Sequence, residues 1–528
     1  MPEIEIDPTT RIEGHHSTTL EVEGGEVTAA KSHMDMFRGM ELVVLNRPPS
    51  DAPVFTQRVC GVCFTVHRQT SLLAIENAAK SAGVFDGIPE TARKMRNLLE
   101  RMATLWNHAV HMFALVGPDY SDAVADTGLT RLDPMEGEGY KKALEAQRKL
   151  LQGFAEFGGK APHPLTYAPG GMSANPTIEK LEQIRDQVEF VSDWLGPTDA
   201  VPQVLENVRN GEFDPSLGEG LHDAVSILLA AKEAGADEFG VGPGRYYCNG
   251  IYPDENGNDR VPSGVYVDGE LSHPSDEEIK NAITESTARS WYTDDSGGSP
   301  MDESPPKPAP EKEDAYSWGK APRYDGMNME TGSLARLVVT EQDPFDLRAT
   351  LGGDPTKSST LNRLVARAQE SLLLRDRILE LLDEIDPNGT VNTGWDDDFS
   401  GEGVGLWEAS RGALSHWVKV EDGTITNYQI ITPTLWNLGP RDESGTPSIF
   451  EQSVEGMTVQ DVENPINVMR TVRSFDPCLA CSVHVESPDA SYTEEITPAS
   501  PGSAASACAD TPIAGQSVDD AAREGGDP

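Results

Sequence analysis

The chain has 528 residues, enough to bury one large core or several smaller ones. Acidic residues outnumber basic ones by 87 to 42, a formal net charge of −45, and a field of that sign repels nucleic acid and anionic lipid. No run of 18 apolar residues is present, so no membrane-spanning helix is expected. The acids are spread along the chain as well as clustered. That spread suits a salt-rich medium, where a Debye length of about 3 Å at 1 M salt screens the self-repulsion. Merely acidic loops are the alternative. The opening MPEIEIDPTTRIEGHH has no basic start and no apolar stretch, and does not read as a signal peptide.

Residues 3–34 alternate around Gly24 and Gly25, the pattern of a β-hairpin, and RIEGH at 11–15 enters it. FRGMELVV at 37–44 starts a helix-like segment. RVCGVCFTVH at 58–67 then brings a CxxC pair, Cys60 and Cys63, followed by His67. Helical spacing follows over 68–81 and 89–116, with Pro89 as a helix-start residue. His108 and His111 share a face of the second helix. They are expected to be core histidines bracing a site, since no acid or thiol stands close by in sequence to complete a metal site. Further helices are expected over 138–157, 178–194, 219–233 and 360–385. From 236 to 315 the composition shifts to Gly, Pro, Asp and Ser. An irregular acidic insertion is expected there, partly mobile around 293–314. SFDPCLACSVH at 474–484 supplies a second CxxC pair, Cys478 and Cys481, followed by His484. Residues 485–528 offer little to bury, and disorder is expected.

Two sulfurs separated by two residues can point at one ion from a tight turn. Four thiolates make a soft site suited to zinc, nickel, copper(I) or iron–sulfur iron. Structural zinc knuckles usually stand about 15–20 residues apart, whereas here the gap covers most of the chain. Six cysteines in a long acidic sequence are not the composition of a disulfide scaffold. Cys248 and Cys508 remain outside the pairs, and two thiols cannot hold an ordinary iron–sulfur cluster. A redox centre buried here would need a partner protein for its electron path.

RIEGH, RVCGVCFTVH, GGKAPHP at 158–164, YSWGKAPRYDGMNMETGSLAR at 316–336, EASRGALSHW at 408–417, TPTLWNLGPRD at 432–442 and SFDPCLACSVH follow one another along the chain. In that order they resemble the catalytic large subunit of a nickel–iron hydrogenase. The resemblance implies the family's large-subunit fold, mainly α with small β-sheets (α+β), over residues 1–484. It also implies a nickel–iron centre whose iron carries carbon monoxide and cyanide. Cys60 and Cys478 would bind nickel terminally, and Cys63 and Cys481 would bridge the metals. His67 would hydrogen-bond the Cys63 sulfur. Arg411 and Thr434 would donate toward the diatomic ligands, with Asp476 paired to Arg411. Glu13 would take protons from Cys478. Glu41 and His484 would bind a magnesium or iron ion near the mature C-terminus.

The chain departs from the usual respiratory pattern at two positions. Ser410 stands where Pro is common before Arg411, and Asn107 stands where Asp is frequent before His108. Both departures put in doubt any carry-over of gas sensitivity or catalytic bias. The resemblance further implies an iron–sulfur small subunit as partner, nickel-insertion proteins, and a maturation protease cutting between His484 and Val485. It suggests a membrane cytochrome or quinone-linked partner. The location implied is the outer face of the membrane by co-export with the small subunit, with the cytoplasm as alternative. Reversible dihydrogen cleavage, run in the uptake direction, is the activity implied. A dihydrogen-sensing subunit and a zinc-stabilised structural protein are the competing classes.

Overall fold

The alternation near the N-terminus builds a three-stranded antiparallel sheet in the computed structural model, which describes residues 3–479 apart from 38, 255, 257, 294–297, 303, 306, 460, 462 and 463. Its strands are β1 (Glu3–Ile6), β2 (His16–Glu23) and β3 (Glu26–Met34). Gly24 and Gly25 turn β2 into β3 with φ of 63° and 87°, a left-handed pair that glycine adopts without a Cβ clash. The hairpin expected there is thus extended by β1. The helix expected from 37 is confined to Met40–Val43.

Long helices form the body. They are α1 (Phe64–Ser81), α2 (Glu90–Val110), α3 (Glu138–Gly158), α4 (Ile178–Leu195), α5 (Glu219–Glu233) and α6 (Thr360–Glu384). The starts of α4 and α6 are capped by side-chain oxygens: Thr177 accepts from the Lys180 amide and Ser359 from the Asn362 amide. The apolar stripe of α2 (Leu98, Leu99, Met102, Leu105) is buried in the main core, as its spacing requires. Beyond Val110 the helix widens into a π turn over His111–Val116, which re-aims His111. Among the described residues, no helix is long and apolar enough to cross a membrane.

A second antiparallel sheet consists of β4 (Gly401–Ala409), β5 (Gly412–Glu421) and β6 (Thr424–Ile431). It lies directly on α1. A Cβ on Gly401, Gly403 or Gly405 would meet α1 backbone at 2.4 Å from Ala78 O, 2.2 Å from Ala74 O and 2.1 Å from Thr70 O respectively. Only glycine permits this approach, and the helix so seated is the one whose first turn follows Cys63.

Within 236–315 short strands interrupt the irregular backbone. Tyr246–Cys248 pairs with Gly264–Val267, which pairs with Glu270–Ser272, and Ile283–Ser286 pairs with Ala321–Tyr324. Burial explains the order. The Tyr247 ring lies 5.1 Å from that of Trp436 and 5.3 Å from that of Tyr324, so this stretch carries core aromatics beneath its polar composition. Segments far apart in the chain share one hydrophobic cluster: Leu20 and Met34 of the first sheet pack with Val468 and Val472 of helix α7 (Ile466–Ser474), and with Leu479.

Candidate metal centre

The centre forms where α1 begins and where the segment after α7 returns to the core. Cys60 sits in the turn ahead of α1, its sulfur accepting from the Val62 and Cys63 amides at 3.1 and 3.3 Å. Cys478 meets it from the far end of the chain. The Cys60 and Cys478 sulfurs lie 3.3 Å apart, those of Cys63 and Cys478 3.8 Å apart, and all three fall within 4.8 Å of one another. All three residues are buried. Cys481 and His484 lie outside the described residues.

Burial pushes the Cys478 thiol well above its ordinary pKa, and the Cys60 sulfur and Glu13 beside it push the same way, with Arg411 opposing. A bound metal supplies the positive charge that deprotonates such thiols. The donor set therefore fits a soft thiolate-bound metal.

Around the sulfurs the polar groups are ordered. The Cys478 sulfur donates to Glu13 Oε2 at 3.0 Å, and the Leu479 amide donates to the Glu13 carbonyl at 2.8 Å. The Thr434 hydroxyl accepts from the Cys478 amide at 3.0 Å. Arg411 occupies the tip of the two-residue hairpin between β4 and β5. Its Nε donates to the Asp476 carbonyl at 2.8 Å and carboxylate at 3.1 Å. Its Nη1 is buried with no hydrogen-bond partner among the described residues, a donor left over for a group at the centre. Asp476 holds a left-handed backbone, φ 55°, and its second oxygen accepts from Asn107 at 2.7 Å. Burial alone would raise its pKa, but Arg411, His111, Arg367 and the Asn107 bond together hold it well below the usual carboxylate range.

A hydrogen bond from His67 to the Cys63 sulfur is not among those of the described residues. Its Nδ1 lies 3.1 Å from His416 Nε2 instead, and His416 Nδ1 lies 2.7 Å from the Tyr428 hydroxyl, which donates to Ser71 at 2.7 Å. Burial pushes His67 down to about 3, so the ring is neutral at ordinary pH. The Glu41 carboxylate accepts from the Ile430 amide at 3.0 Å and lies 3.7 Å from the Lys320 ammonium, which also pairs with Glu285. His108 and His111 bind no metal cluster among the described residues. His108 pairs with Glu370 at 2.8 Å, and His111 with the Arg473 carbonyl at 2.6 Å.

Arg367 and Lys320 escaped the reading from sequence. Arg367 faces Asp476 from α6, and nothing around it in sequence marks it out. Lys320 stands inside YSWGKAPRY and His416 inside EASRGALSHW, so those blocks carried a usable signal.

Three buried sulfurs brought together from residues 60, 63 and 478, beside an arginine–aspartate pair and a carboxylate, define a metalloprotein with a buried thiolate-bound centre. The chain belongs to the nickel-dependent hydrogenases: a family profile of that description matches residues 38–134 and 130–484, and one described as HoxL-like matches residues 3–37. It is an oxidoreductase acting on dihydrogen, and its role is that of the catalytic large subunit. The periplasmic NiFeSe hydrogenase large subunit of Desulfomicrobium baculatum is 32% identical over 91% of this chain and 95% of its own. The uptake hydrogenase large subunit of Bradyrhizobium diazoefficiens is 33% identical over 92% of this chain and 96% of its own. In fold, the Ni-Fe-Se hydrogenase from D. vulgaris Hildenborough superimposes with a TM-score of 0.79 at 32% identity, covering 92% of this chain and all of that one. Membership in this family sets the structural zinc reading aside.

Proposed function

We propose that Cys60, Cys63, Cys478 and Cys481 hold a nickel–iron centre with carbon monoxide and cyanide on the iron. Glu41 and His484 would bind a magnesium or iron ion nearby. The centre, when bound, polarises dihydrogen and accepts its electrons.

This chain's residues then manage charge and protons. Cys478 passes a proton to Glu13: the S–H bond breaks, the O–H bond forms, and the electron pair stays on sulfur. The bond of 3.0 Å between them is the observation that carries this reading. Arg411, fixed by Asp476, presents its unpaired Nη1 as a preorganised donor, and Thr434 offers its hydroxyl proton beside Cys478. The buried His67–His416 pair holds the start of α1 by its ring contacts.

Electrons leave through an iron–sulfur small subunit, since the cysteines outside the two pairs cannot build a cluster. Oxidation of dihydrogen toward a respiratory acceptor is the direction proposed, supported by the name of the Bradyrhizobium relative. The partner would seat the enzyme on the outer face of the membrane through a cytochrome or quinone-linked protein. Nickel-insertion proteins and a protease cutting after His484 would mature it. The net charge of −45 supports a salt-rich working medium.

Metal analysis and infrared spectroscopy of the protein purified with its partner test the assignment. Nickel and iron together with carbonyl and cyanide bands are expected. Zinc alone, without those bands, would remove the proposed roles.

A further inference from the structure

Two backbone segments must stay in register for a proton to cross from Cys478 to Glu13. One is the RIEGH loop, which turns on Arg11 at φ 58° and Gly14 at φ 84°. The other runs from the end of α7 to Cys478 through Asp476, also left-handed. A non-glycine residue in that conformation persists only where its surroundings hold it. Asp476 is held by Arg411 and Asn107. Arg11 is held elsewhere, by a carboxylate that touches neither Glu13 nor any sulfur.

That carboxylate is Asp119, fully buried on the short turn Gly117–Tyr120. The Arg11 guanidinium pairs with Asp119 Oδ1 and donates to the Leu115 carbonyl at 2.8 Å. From α7, Arg473 donates to the same oxygen at 2.7 Å. Arg473 also grips the loop itself, donating to the Thr10 carbonyl at 2.9 Å and the Thr10 hydroxyl at 3.0 Å. The turn is anchored in its own right, because Arg470 donates to the Asp119 carbonyl at 2.7 Å and lies over the Tyr120 ring. One carboxylate oxygen thus bridges two guanidiniums, one from each segment. Without it, two like charges face each other in a dry interior and drive the segments apart.

We infer that Asp119 is a positioning residue for proton transfer: by clamping Arg11 to Arg473 it sets the separation of Glu13 Oε2 and Cys478 Sγ. The inference rests on the proton-acceptor role proposed for Glu13. It assigns Asp119 no contact with the centre, so the centre itself should not register its loss.

The test uses the holoenzyme with its partner. Asp119→Asn keeps the shape and removes the charge. Arg11→Gln opens only one half of the clamp, leaves Arg473 paired, and is the variant to read if Asp119→Asn fails to assemble. Deuterium exchange between dihydrogen and solvent is expected to fall about 10- to 100-fold, the scale of an ångström's misplacement. Metal content and the carbonyl and cyanide bands are expected to match wild type. The Leu479 amide, which donates to Glu13, is expected to lose protection in hydrogen–deuterium exchange mass spectrometry. In a Glu13→Gln background, Asp119→Asn should bring no further loss, since both act on one step. Wild-type exchange in both variants while Glu13→Gln is slow would overturn the inference alone. So would an equal further loss on top of Glu13→Gln, or shifted bands. Normal exchange in Glu13→Gln itself would overturn the Glu13 reading and the clamp with it.

Discussion

The Cys478 sulfur donates to Glu13 Oε2 across 3.0 Å, joining residues 465 positions apart in the chain. Glutamine at position 13 keeps the shape and the neighbouring backbone bond but cannot accept a proton at that site. Glu13→Gln is expected to lower solvent exchange with dihydrogen by roughly 10²- to 10⁴-fold, the usual worth of a positioned acid–base group. Nickel and iron content should stay at the wild-type level. Exchange assays beside metal analysis check both halves, and normal exchange would refute the relay.

Arg411 meets Asp476 through Nε and leaves Nη1 unpaired. Lysine keeps the charge but has no planar fork, so it cannot hold Asp476 and present a second donor together. Arg411→Lys is expected to cost about 10²- to 10³-fold in kcat, as loss of a preorganised donor does, with metals retained. Arg411→Leu strips a buried carboxylate of its counter-ion and should destabilise the chain by about 3–5 kcal/mol. Turnover and denaturant unfolding separate the two effects.

Gly405 lies on α1 so closely that a Cβ would stand 2.1 Å from the Thr70 carbonyl oxygen. That neighbour is helix backbone and cannot swing aside. Gly405→Ala should therefore push α1 off the sheet, at a cost of about 1–3 kcal/mol or more. Because α1 begins beside Cys63, metal retention should fall with stability. A wild-type unfolding midpoint would show that the approach is looser than its geometry.

Burial pushes the Glu451 carboxyl from 4.5 up to about 7, against the hydrogen bonds it accepts from the Ser32 and Ser448 amides and Tyr316. The folded chain therefore binds a proton more readily than the unfolded one. Its contribution to stability is fully present below about pH 4.5 and is lost as pH rises through about 7. Glu451→Gln should remove that slope. Unfolding free energies measured between these limits, wild type against variant, check the sign. An unchanged slope would place the titration elsewhere.

Much of this protein was legible in one dimension. Helix positions followed from apolar spacing, because α2 carries Leu98, Leu99, Met102 and Leu105 at helical period and such a helix writes its period into its residues. Cys60, Cys63 and Cys478 were singled out by CxxC spacing, since that turn is local. The segment from 236 was harder to read. Tyr246 and Tyr247 enter the core in a strand of only three residues, paired with Gly264–Val267, and Gly, Pro and Asp around them mask the signal. His67 shows another limit: its ring partner, His416, is 349 residues away.

The sequence by itself determined which chemistry was available: two thiol pairs, a carboxylate in RIEGH, an arginine in EASRGALSHW, and a composition too acidic for nucleic acid. Those are properties of residue types at short spacing. Only the tertiary structure decided which of them meet. It brought Cys478 to Cys60 and Glu13, set Asn107 and Arg367 against Asp476, and closed Arg11 and Arg473 on Asp119. Contacts of that kind arise from burying the N-terminal sheet and the stretch up to Leu479 in one hydrophobic cluster, and hydrophobic burial is non-directional, so no local stretch encodes which partners it will bring together.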